Sequence, residues 1–383
     1  MSRTPSSRSA VAPFQVMQLV RAAAARQRSH GDAILLCVGQ PSTPAPRVVV
    51  DAVHDAIDTQ VLGYTESDGI PVLRAAVAEH YQTAYGLAVT PQDVLVTNGS
   101  SGGFSTLLLA AFEPGARIAM TRPGYPAYRN TVQALGCVPV DLVCGPETRF
   151  QPTVELLEAL PQRPDGVILA SPANPTGTII DARELERIAH WCEANDVLLI
   201  SDEIYHGISY GRECASAWEF SGAGAVMGSV SKYHSMTGWR LGWALLPPEL
   251  RTSVDRLQGN LAICAPAVSQ VGAVAAFSAG AQHELRSHVE RYARNRDVLL
   301  GRLPELGITS FAPPDGAFYA YCDIGHLTTD SLTWCHDVLA RTGVALAPGI
   351  DFDPIDGHHY MRLSFCGDTA DLNEALDRLA AVC

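Results

Sequence analysis

Short apolar runs alternate with amphipathic helical segments through the middle of the chain, and this alternation constrains the fold more than any other feature. The runs include DVLVT, ARIAM, GVILA and VLLIS. Strands that are apolar at nearly every position have both faces buried, which is typical of a parallel sheet with helices on both sides. Ligands of such sheets bind just beyond the carboxyl ends of the strands. The sequence therefore predicts an α/β fold whose functional residues follow its strands.

The pattern changes near residue 281, where a long helical segment, QHELRSHVERYARNRDVLLGRL, precedes shorter strands and terminal helices. We therefore expect a large domain over residues 43–280 and a smaller α+β domain formed by residues 13–42 and 281–383. The polar residues 1–12 predict a flexible arm. Helices are also expected from Phe14 to Arg28, from Pro46 to Leu62 and from Gly69 to Tyr85.

The composition excludes several classes of function. The formal net charge is −13, from 27 basic and 40 acidic residues, and the arginines are scattered, so a nucleic-acid partner is not expected. We find neither a signal peptide nor a run of 18 apolar residues, and expect no membrane contact. The ten cysteines form no CxxC pair and no zinc-site spacing, which predicts reduced thiols, a cytoplasmic location and no metal.

Lys232 is the single lysine of the chain, because the other 26 basic residues are arginine. A guanidinium group stays protonated in proteins, whereas an amine can lose its proton and attack a carbonyl carbon. A coding bias toward arginine, with one lysine left by chance, is the alternative explanation. The neighbouring residues must therefore decide between the two.

A lysine that holds an aldehyde cofactor as a Schiff base needs an anion site, an acid and an aromatic plane nearby. The segment NGSSGG follows a strand and opens a helix, so Ser100 and Ser101 can bind a phosphate there. Asp202 ends the run VLLIS, where a carboxylate is costly unless it is paired. Arg240 can bind a phosphate with two donors. Each of these residues could alone be an ordinary turn, cap or surface residue, so only their combination is informative.

This combination resembles the fold-type I pyridoxal-phosphate enzymes, specifically the class I and II aminotransferases of the aspartate aminotransferase superfamily. The resemblance extends from LLCVGQPSTPAP to HYMRLSF. It implies a large domain with a mostly parallel seven-stranded sheet between helices, a smaller α+β domain, pyridoxal 5′-phosphate as cofactor, and a homodimer with shared active sites. The segments that carry it are GYTESDG, NGSSGG, RPGYPAY, SPANPTG, SDEIY, SVSKYHSMTGWRLGW and YMRLSF.

The resemblance also implies roles around the cofactor ring. Lys232 would form the Schiff base and carry the proton from the substrate Cα. Asp202 would pair with the pyridine nitrogen, while Asn174 and Tyr205 would contact the 3-hydroxyl group. Tyr125 would stack on the ring. The implied catalytic residues are Lys232, Asp202 and Tyr205.

Further roles concern the phosphate and the substrate. Arg362 would bind the α-carboxylate of the substrate, with Asn174 and the backbone of Gly39 close by. Tyr64 would reach the phosphate in the neighbouring subunit. Within one subunit, the phosphate would be held by Gly99, Ser100, Ser101, Ser229 and Arg240. Tyr128, close behind Tyr125, either supports Asp202 or packs in the core.

The implied function is transfer of the amino group of an L-amino acid to a 2-oxo acid in a ping-pong cycle. Neither STLLLAAF nor QGNLAICAPA contains a cation for a second carboxylate, so we expect a neutral side chain, with Phe14 and Ile263 as pocket walls. Arg21 could still supply such a cation. The alternatives are a carbon–sulfur β-lyase of the same fold and a pyridoxal-phosphate-binding regulator.

Overall fold

Twelve strands and twelve α-helices are present in the computed structural model, which describes residues 4–383. The strands are β1 (Ile34–Leu35), β2 (Val94–Thr97), β3 (Arg117–Arg122), β4 (Val138–Val143), β5 (Gly166–Ala170), β6 (Leu198–Asp202), β7 (Ala225–Ser229), β8 (Gly242–Leu245), β9 (Tyr319–Asp323), β10 (Val344–Ala345), β11 (Ala347–Pro348) and β12 (Tyr360–Ser364). The helices are α1 (Gln15–His30), α2 (Arg47–Thr59), α3 (Pro71–Tyr85), α4 (Gly99–Ala111), α5 (Pro126–Ala134), α6 (Val154–Glu158), α7 (Ala182–Ala194), α8 (Pro248–Ala262), α9 (Ala267–Ala276), α10 (Ala279–Arg302), α11 (Ser331–Thr342) and α12 (Thr369–Leu379).

The central sheet has seven strands in the order β2-β8-β7-β6-β5-β3-β4. Every neighbouring pair from β4 to β7 is parallel, whereas β8 runs antiparallel to both β7 and β2. The predicted α/β fold with a mostly parallel seven-stranded sheet is therefore confirmed.

Side chains from both faces of this sheet are buried, as the apolar runs predict. In β6, Leu199 belongs to one apolar cluster and the adjacent Ile200 to another, because successive side chains of a strand point to opposite faces. Leu107 and Leu108 of α4 cover the face that contains Ile200. The sheet is thus a rigid central layer, and loops at its carboxyl edge can carry functional residues.

The register of the parallel strands aligns three strand ends at this edge. Ala170 of β5 pairs with Asp202 of β6, which in turn pairs with Met227 of β7. The segments that follow these three strands therefore start side by side. Asp202 ends β6, Asn174 follows β5, and Lys232 follows β7.

A third apolar cluster unites the N-terminal segment with the C-terminal third of the chain. β1 pairs with β10 through Ile34 and Val344, and Leu19 of α1 packs in the same cluster. β11, β12 and β9 form an antiparallel sheet there. These contacts join segments that the sequence assigns to the smaller domain. The domain boundaries themselves stay a prediction.

Residues 1–3 of the predicted arm lie outside the described residues, and Ser7–Ser9 form a short 3-10 helix. Two predicted helices are shorter than expected, since α2 covers Arg47–Thr59 and α3 covers Pro71–Tyr85. Pro71 fits the first position of α3 because the missing N–H has no partner there anyway. None of the described helices combines the length and apolar character that crossing a membrane requires.

Candidate active site

A cavity of about 460 Å³ opens at the carboxyl edge of the central sheet, between the sheet and the apolar cluster that unites the two ends of the chain. It brings together most of the residues that the sequence singles out. Those lining it are Gly39, Ser100, Ser101, Tyr125, Asn174, Asp202, Tyr205, Lys232, Arg240 and Arg362. Gly99, Ser229 and Tyr64 do not line it.

Lys232 lies three residues beyond the end of β7, and its Nζ donates a hydrogen bond to the carbonyl oxygen of Gly39 at 2.7 Å. Removal of the amine from bulk water lowers the pKa of Lys232 to about 8, and the guanidinium groups of Arg362 and Arg240 act in the same direction. A substantial fraction of the amine is therefore neutral near physiological pH. A neutral amine in a cavity can act as a nucleophile or a base.

Asp202 is the last residue of β6 and is only 3% exposed. Burial raises the pKa of Asp202 to about 6. Two hydrogen bonds oppose this shift, one donated by the Tyr128 hydroxyl and one donated by the Ile204 backbone N–H at 3.2 Å. Of the two roles considered for Tyr128, the contact supports the one in which it orients Asp202. The carboxylate faces the cavity as a buried acceptor that a cationic ring nitrogen would satisfy.

The start of α4 and Arg240 form a candidate anion site. The first backbone N–H groups of a helix have no intrahelical partners and carry positive partial charge. Gly99 is required there, because its φ is +68° and an added Cβ would lie 2.7 Å from Nη2 of Arg240. An added Cβ at Gly242 would lie 2.8 Å from the backbone nitrogen of Ser100. The two glycines thus let the helix terminus, the guanidinium group and β8 approach closely around one cavity corner.

Ser229 is buried next to this corner and does not line the cavity. Its Oγ lies 2.8 Å from Oγ of Ser231 and 3.1 Å from the carbonyl oxygen of Leu241. Ser231 is the hydroxyl that lines the cavity. The spacing of SVSK offers two serines, and the sequence does not indicate which one faces inward.

Arg362 projects from β12 and is 3% exposed. Its guanidinium group lies between two aromatic rings, 4.4 Å from the centroid of Tyr319 and 4.6 Å from that of Phe352. Nη1 donates to Oδ1 of Asn174 at 2.7 Å, while Nε has no hydrogen-bond partner within residues 4–383. A buried cation with an unused donor is suited to bind a carboxylate.

Tyr319 was not expected from the sequence, where it is one aromatic residue of a buried strand. Its hydroxyl lies 2.7 Å from that of Tyr205, and both residues line the cavity. A Cβ added at Gly39 would lie 1.5 Å from the Tyr319 hydroxyl oxygen. Glycine at position 39 is therefore needed for the close approach that also brings its carbonyl to Lys232.

The remaining wall of the cavity is largely apolar. It consists of Phe14 and Met17 from the start of α1 and Phe104 and Leu108 from α4, among others. The expected wall residue Ile263 lies elsewhere, at the end of α8 and 49% exposed. The arginines of residues 4–383 that line the cavity are Arg240 and Arg362, so Arg21 does not enter it.

Comparison with known proteins identifies the class to which this fold and site belong. The family model for aminotransferase class I and II matches residues 31–379, and the chain belongs to this family. Amino-group transfer to a 2-oxo acid is therefore its activity, and the relatives do not favour the β-lyase alternative.

Individual relatives match almost the whole chain. A valine–pyruvate aminotransferase of Mycobacterium tuberculosis is 50% identical, over 98% of this chain and 97% of the relative. A crystal structure of an aminotransferase from Mycobacterium tuberculosis superposes with a TM-score of 0.97 at 49% identity, covering 99% of both chains. The aspartate aminotransferase of Thermus thermophilus with maleate has a TM-score of 0.94 at 30% identity, covering 100% of both chains.

Proposed function

We propose that this aminotransferase uses pyridoxal 5′-phosphate and acts on amino acids with neutral, mainly apolar side chains. One observation supports the cofactor above all others: the low-pKa amine of Lys232 lines the same cavity as the buried Asp202 carboxylate and the anion site at Arg240. An aldehyde, a basic ring nitrogen and a phosphate are the three groups that this donor set would satisfy.

Different residues in and around the cavity would hold the different parts of the cofactor. Gly99, Ser100, Ser101 and Arg240 would hold the phosphate, with Ser229 through its contact to Ser231. Asp202 would face the ring nitrogen, Asn174 and Tyr205 the 3-hydroxyl group, and Tyr125 the ring plane. The glycine contacts support this arrangement, because side chains at Gly99 or Gly242 would collide with Arg240 or with the start of α4.

When bound, pyridoxal phosphate supplies an aldehyde for the substrate amine and a conjugated ring that accepts electrons from the Cα–H bond. The chain supplies the proton chemistry and the orientation. The Asp202 carboxylate would keep a proton at the ring nitrogen, and Lys232 would take the proton from the substrate Cα. Arg362 binds the α-carboxylate, which fixes the orientation of Cα relative to Lys232.

The substrate side chain is proposed from the charges of the cavity. Phe14, Met17, Phe104 and Leu108 offer an apolar surface, and no described arginine beyond Arg240 and Arg362 lines the cavity. A second carboxylate would remain unpaired there, at a cost of several kcal/mol. A relative at 50% identity is a valine–pyruvate aminotransferase, which agrees with a neutral donor and with pyruvate as an acceptor.

We also propose a homodimer in which Tyr64 reaches the cofactor phosphate of the partner subunit. Tyr64 is 83% exposed, and nearby Val61 and Leu261 are 97% and 63% exposed. The Thr65 backbone N–H donates to Sγ of Cys264 at 3.5 Å, so the segments that carry Tyr64 and Leu261 are neighbours. An open depression of about 710 Å³ beside Arg240 offers space for a segment of a second copy.

A cytoplasmic location is proposed from the cysteines. All ten are unpaired, seven of them are buried, and burial raises the pKa of buried thiols such as Cys192, to about 12. Thiols of this kind are typical of a reducing compartment.

The cofactor and the substrate class can be tested together. Reduction of the purified holoenzyme with borohydride should attach the cofactor covalently to the peptide that contains Lys232, and Lys232→Arg should abolish both this label and transamination. With pyruvate as acceptor, kcat/KM should be higher for valine, leucine and methionine than for aspartate. Label on another peptide would contradict the cofactor assignment, and a preference for aspartate would contradict the proposed substrate class.

A further inference from the structure

The first turn of α1 forms part of the wall around the proposed substrate. Phe14, Val16 and Met17 line the cavity, and the Phe14 ring meets Tyr125 edge-on with the ring centroids 6.2 Å apart. The helix has no local cap, because the residue before it is Phe14, whose side chain accepts no hydrogen bond. The first backbone N–H groups of α1 therefore need acceptors from another part of the chain.

Asp351 supplies these acceptors from a position more than 330 residues away. Its Oδ1 accepts from the backbone N–H of Gln15 at 2.9 Å, and its Oδ2 accepts from that of Val16 at 2.7 Å. Both carboxylate oxygens are thus used on the start of one helix, where a negative charge is also favoured by the helix dipole. Asp351 ends the 3-10 helix Gly349–Asp351 and is partly buried.

The next residue connects the same segment to the proposed carboxylate site. The ring of Phe352 lies 4.6 Å from the Arg362 guanidinium group, and its carbonyl oxygen accepts from the Gly124 backbone N–H at 3.0 Å, next to Tyr125. The dipeptide Asp351–Phe352 therefore contacts both the apolar wall and the group that would bind the substrate carboxylate. This arrangement fixes the space between them, which is where the substrate side chain would lie.

We infer that Asp351 is a positioning residue that determines how well large apolar side chains bind, because it holds the first turn of α1 against the cavity. This inference rests on the proposed function, in which the cavity binds an amino acid through Arg362. Leucine has a side chain long enough to contact the wall formed by Phe14 and Met17. Alanine carries one methyl group and has little surface to place there, so it should depend far less on Asp351.

The test compares Asp351→Ala and Asp351→Asn with the wild-type holoenzyme. Asp351→Ala should lower kcat/KM for leucine about five- to tenfold more than for alanine, mainly through KM, as expected for loss of one helix cap. Asp351→Asn keeps one acceptor oxygen. Its ratio of kcat/KM for leucine to kcat/KM for alanine should therefore lie between those of the wild type and of Asp351→Ala. Independently of activity, hydrogen exchange at the Gln15 and Val16 amides should become faster in Asp351→Ala.

Asp368 provides a matched control, because its Oδ1 caps α12 in the same part of the molecule by accepting from the Ala370 backbone N–H at 2.8 Å. Asp368→Ala removes a helix cap away from the cavity and should leave the leucine-to-alanine ratio unchanged. The inference is overturned if Asp351→Ala lowers both substrates equally, or if Asp368→Ala changes the ratio as much. If the wild type uses neither leucine nor alanine, the proposed function fails. In that case hydrogen exchange at the Gln15 and Val16 amides still decides whether Asp351 anchors α1.

Discussion

Two ionisable residues in the cavity have pKa values shifted toward neutrality from opposite sides. Asp202 rises to about 6 and Lys232 falls to about 8, in both cases because removal from water disfavours the charged form. The consequence for Lys232 is an amine that is reactive at a pH where ordinary lysines are protonated. No arginine could serve this purpose, which explains why a chain with 26 arginines contains a lysine at position 232.

The amine of Lys232 should titrate near pH 8 in the cofactor-free protein, compared with about 10.4 for an unperturbed lysine. The rate of acetylation at this single lysine, measured against pH by mass spectrometry, gives the midpoint directly. Arg362→Met removes a nearby positive charge and should raise the midpoint, whereas Arg341→Met on the surface of α11 should not. A midpoint near that of a free lysine would contradict the described environment.

Among the elements, β6 places a buried carboxyl group in the site. It ends with Asp202 facing the cavity, and the next residue, Glu203, is 4% exposed and points away from it. Oε1 of Glu203 accepts from the Ala217 backbone N–H at 2.9 Å and from the Ser201 and Ser216 hydroxyls at 3.0 and 3.1 Å. Oε2 has no hydrogen-bond partner within residues 4–383. One strand end thus places two carboxyl groups in the interior, and the second is only partly satisfied.

Burial raises the pKa of Glu203 to about 8, and this predicts a loss of stability with rising pH. The unfolded chain releases this proton near pH 4.3, whereas the folded chain retains it up to about pH 8. Between these values the folded state binds more protons, so its stability is full below the lower value and falls as the pH rises. Glu203→Gln keeps Oε1 and removes the titration.

The melting temperature of the cofactor-free Glu203→Gln variant should therefore fall less between pH 5 and pH 8 than that of the wild type. The exposed Glu186 on α7 provides a control, since Glu186→Gln should leave the pH dependence unchanged. An identical decline in the wild type and in Glu203→Gln would show that Glu203 is ionised in the folded protein throughout this range.

At the scale of the whole molecule, the site draws on segments from both ends of the chain. Gly39, Lys232 and Arg362 belong to three distant segments that meet in one cavity. The surface formed by the neighbouring segments of Tyr64 and Leu261 exposes these two residues and Val61. The proposed dimer would cover this face and complete each site with one residue of the other subunit.

Shared sites predict that two inactive variants restore activity when combined. Lys232→Arg lacks the reactive amine, and Tyr64→Ala lacks the hydroxyl group offered to the partner subunit. Subunits mixed under conditions of exchange should form heterodimers in which one of two sites is intact, with about half the activity of the wild-type dimer. Activity that stays at the level of the separate variants, although heterodimers form, would contradict the shared sites.

Two single substitutions, one on this surface and one elsewhere as a control, test the proposed interface. Leu261→Arg should shift the protein toward the monomer in sedimentation velocity and weaken cofactor retention, because a charge is buried at the proposed interface. Ile355 is similarly exposed, at 60%, shortly before the 3-10 helix Gly357–His359, and Ile355→Arg should leave both properties unchanged.

The sequence by itself determined the strands, the parallel sheet and the chemistry of the site, because these depend on local patterns. Runs of apolar residues specify strands that are buried on both faces, and their alternation with helices specifies the parallel sheet. The chemistry of the site also follows from local segments, since Lys232, Asp202 and Asn174 each come shortly after such a run. The start of α3 was less accurate, because it depends on a single residue, Pro71, at the first helical position, whereas the end at Tyr85 agrees with the prediction.

Tertiary structure alone decided which side chains meet. Tyr319 reaches Tyr205 across 114 residues, and Asp351 reaches Gln15 across 336. The inward position of Ser231 instead of Ser229, and the exposure of Ile263, depend on how loops pack after the strands end. Periodicity reports the surroundings of a residue only along its own strand or helix, whereas contacts between distant segments are set by the packing of complete elements. For that reason the sequence indicates the chemistry of the site, and the fold determines its geometry.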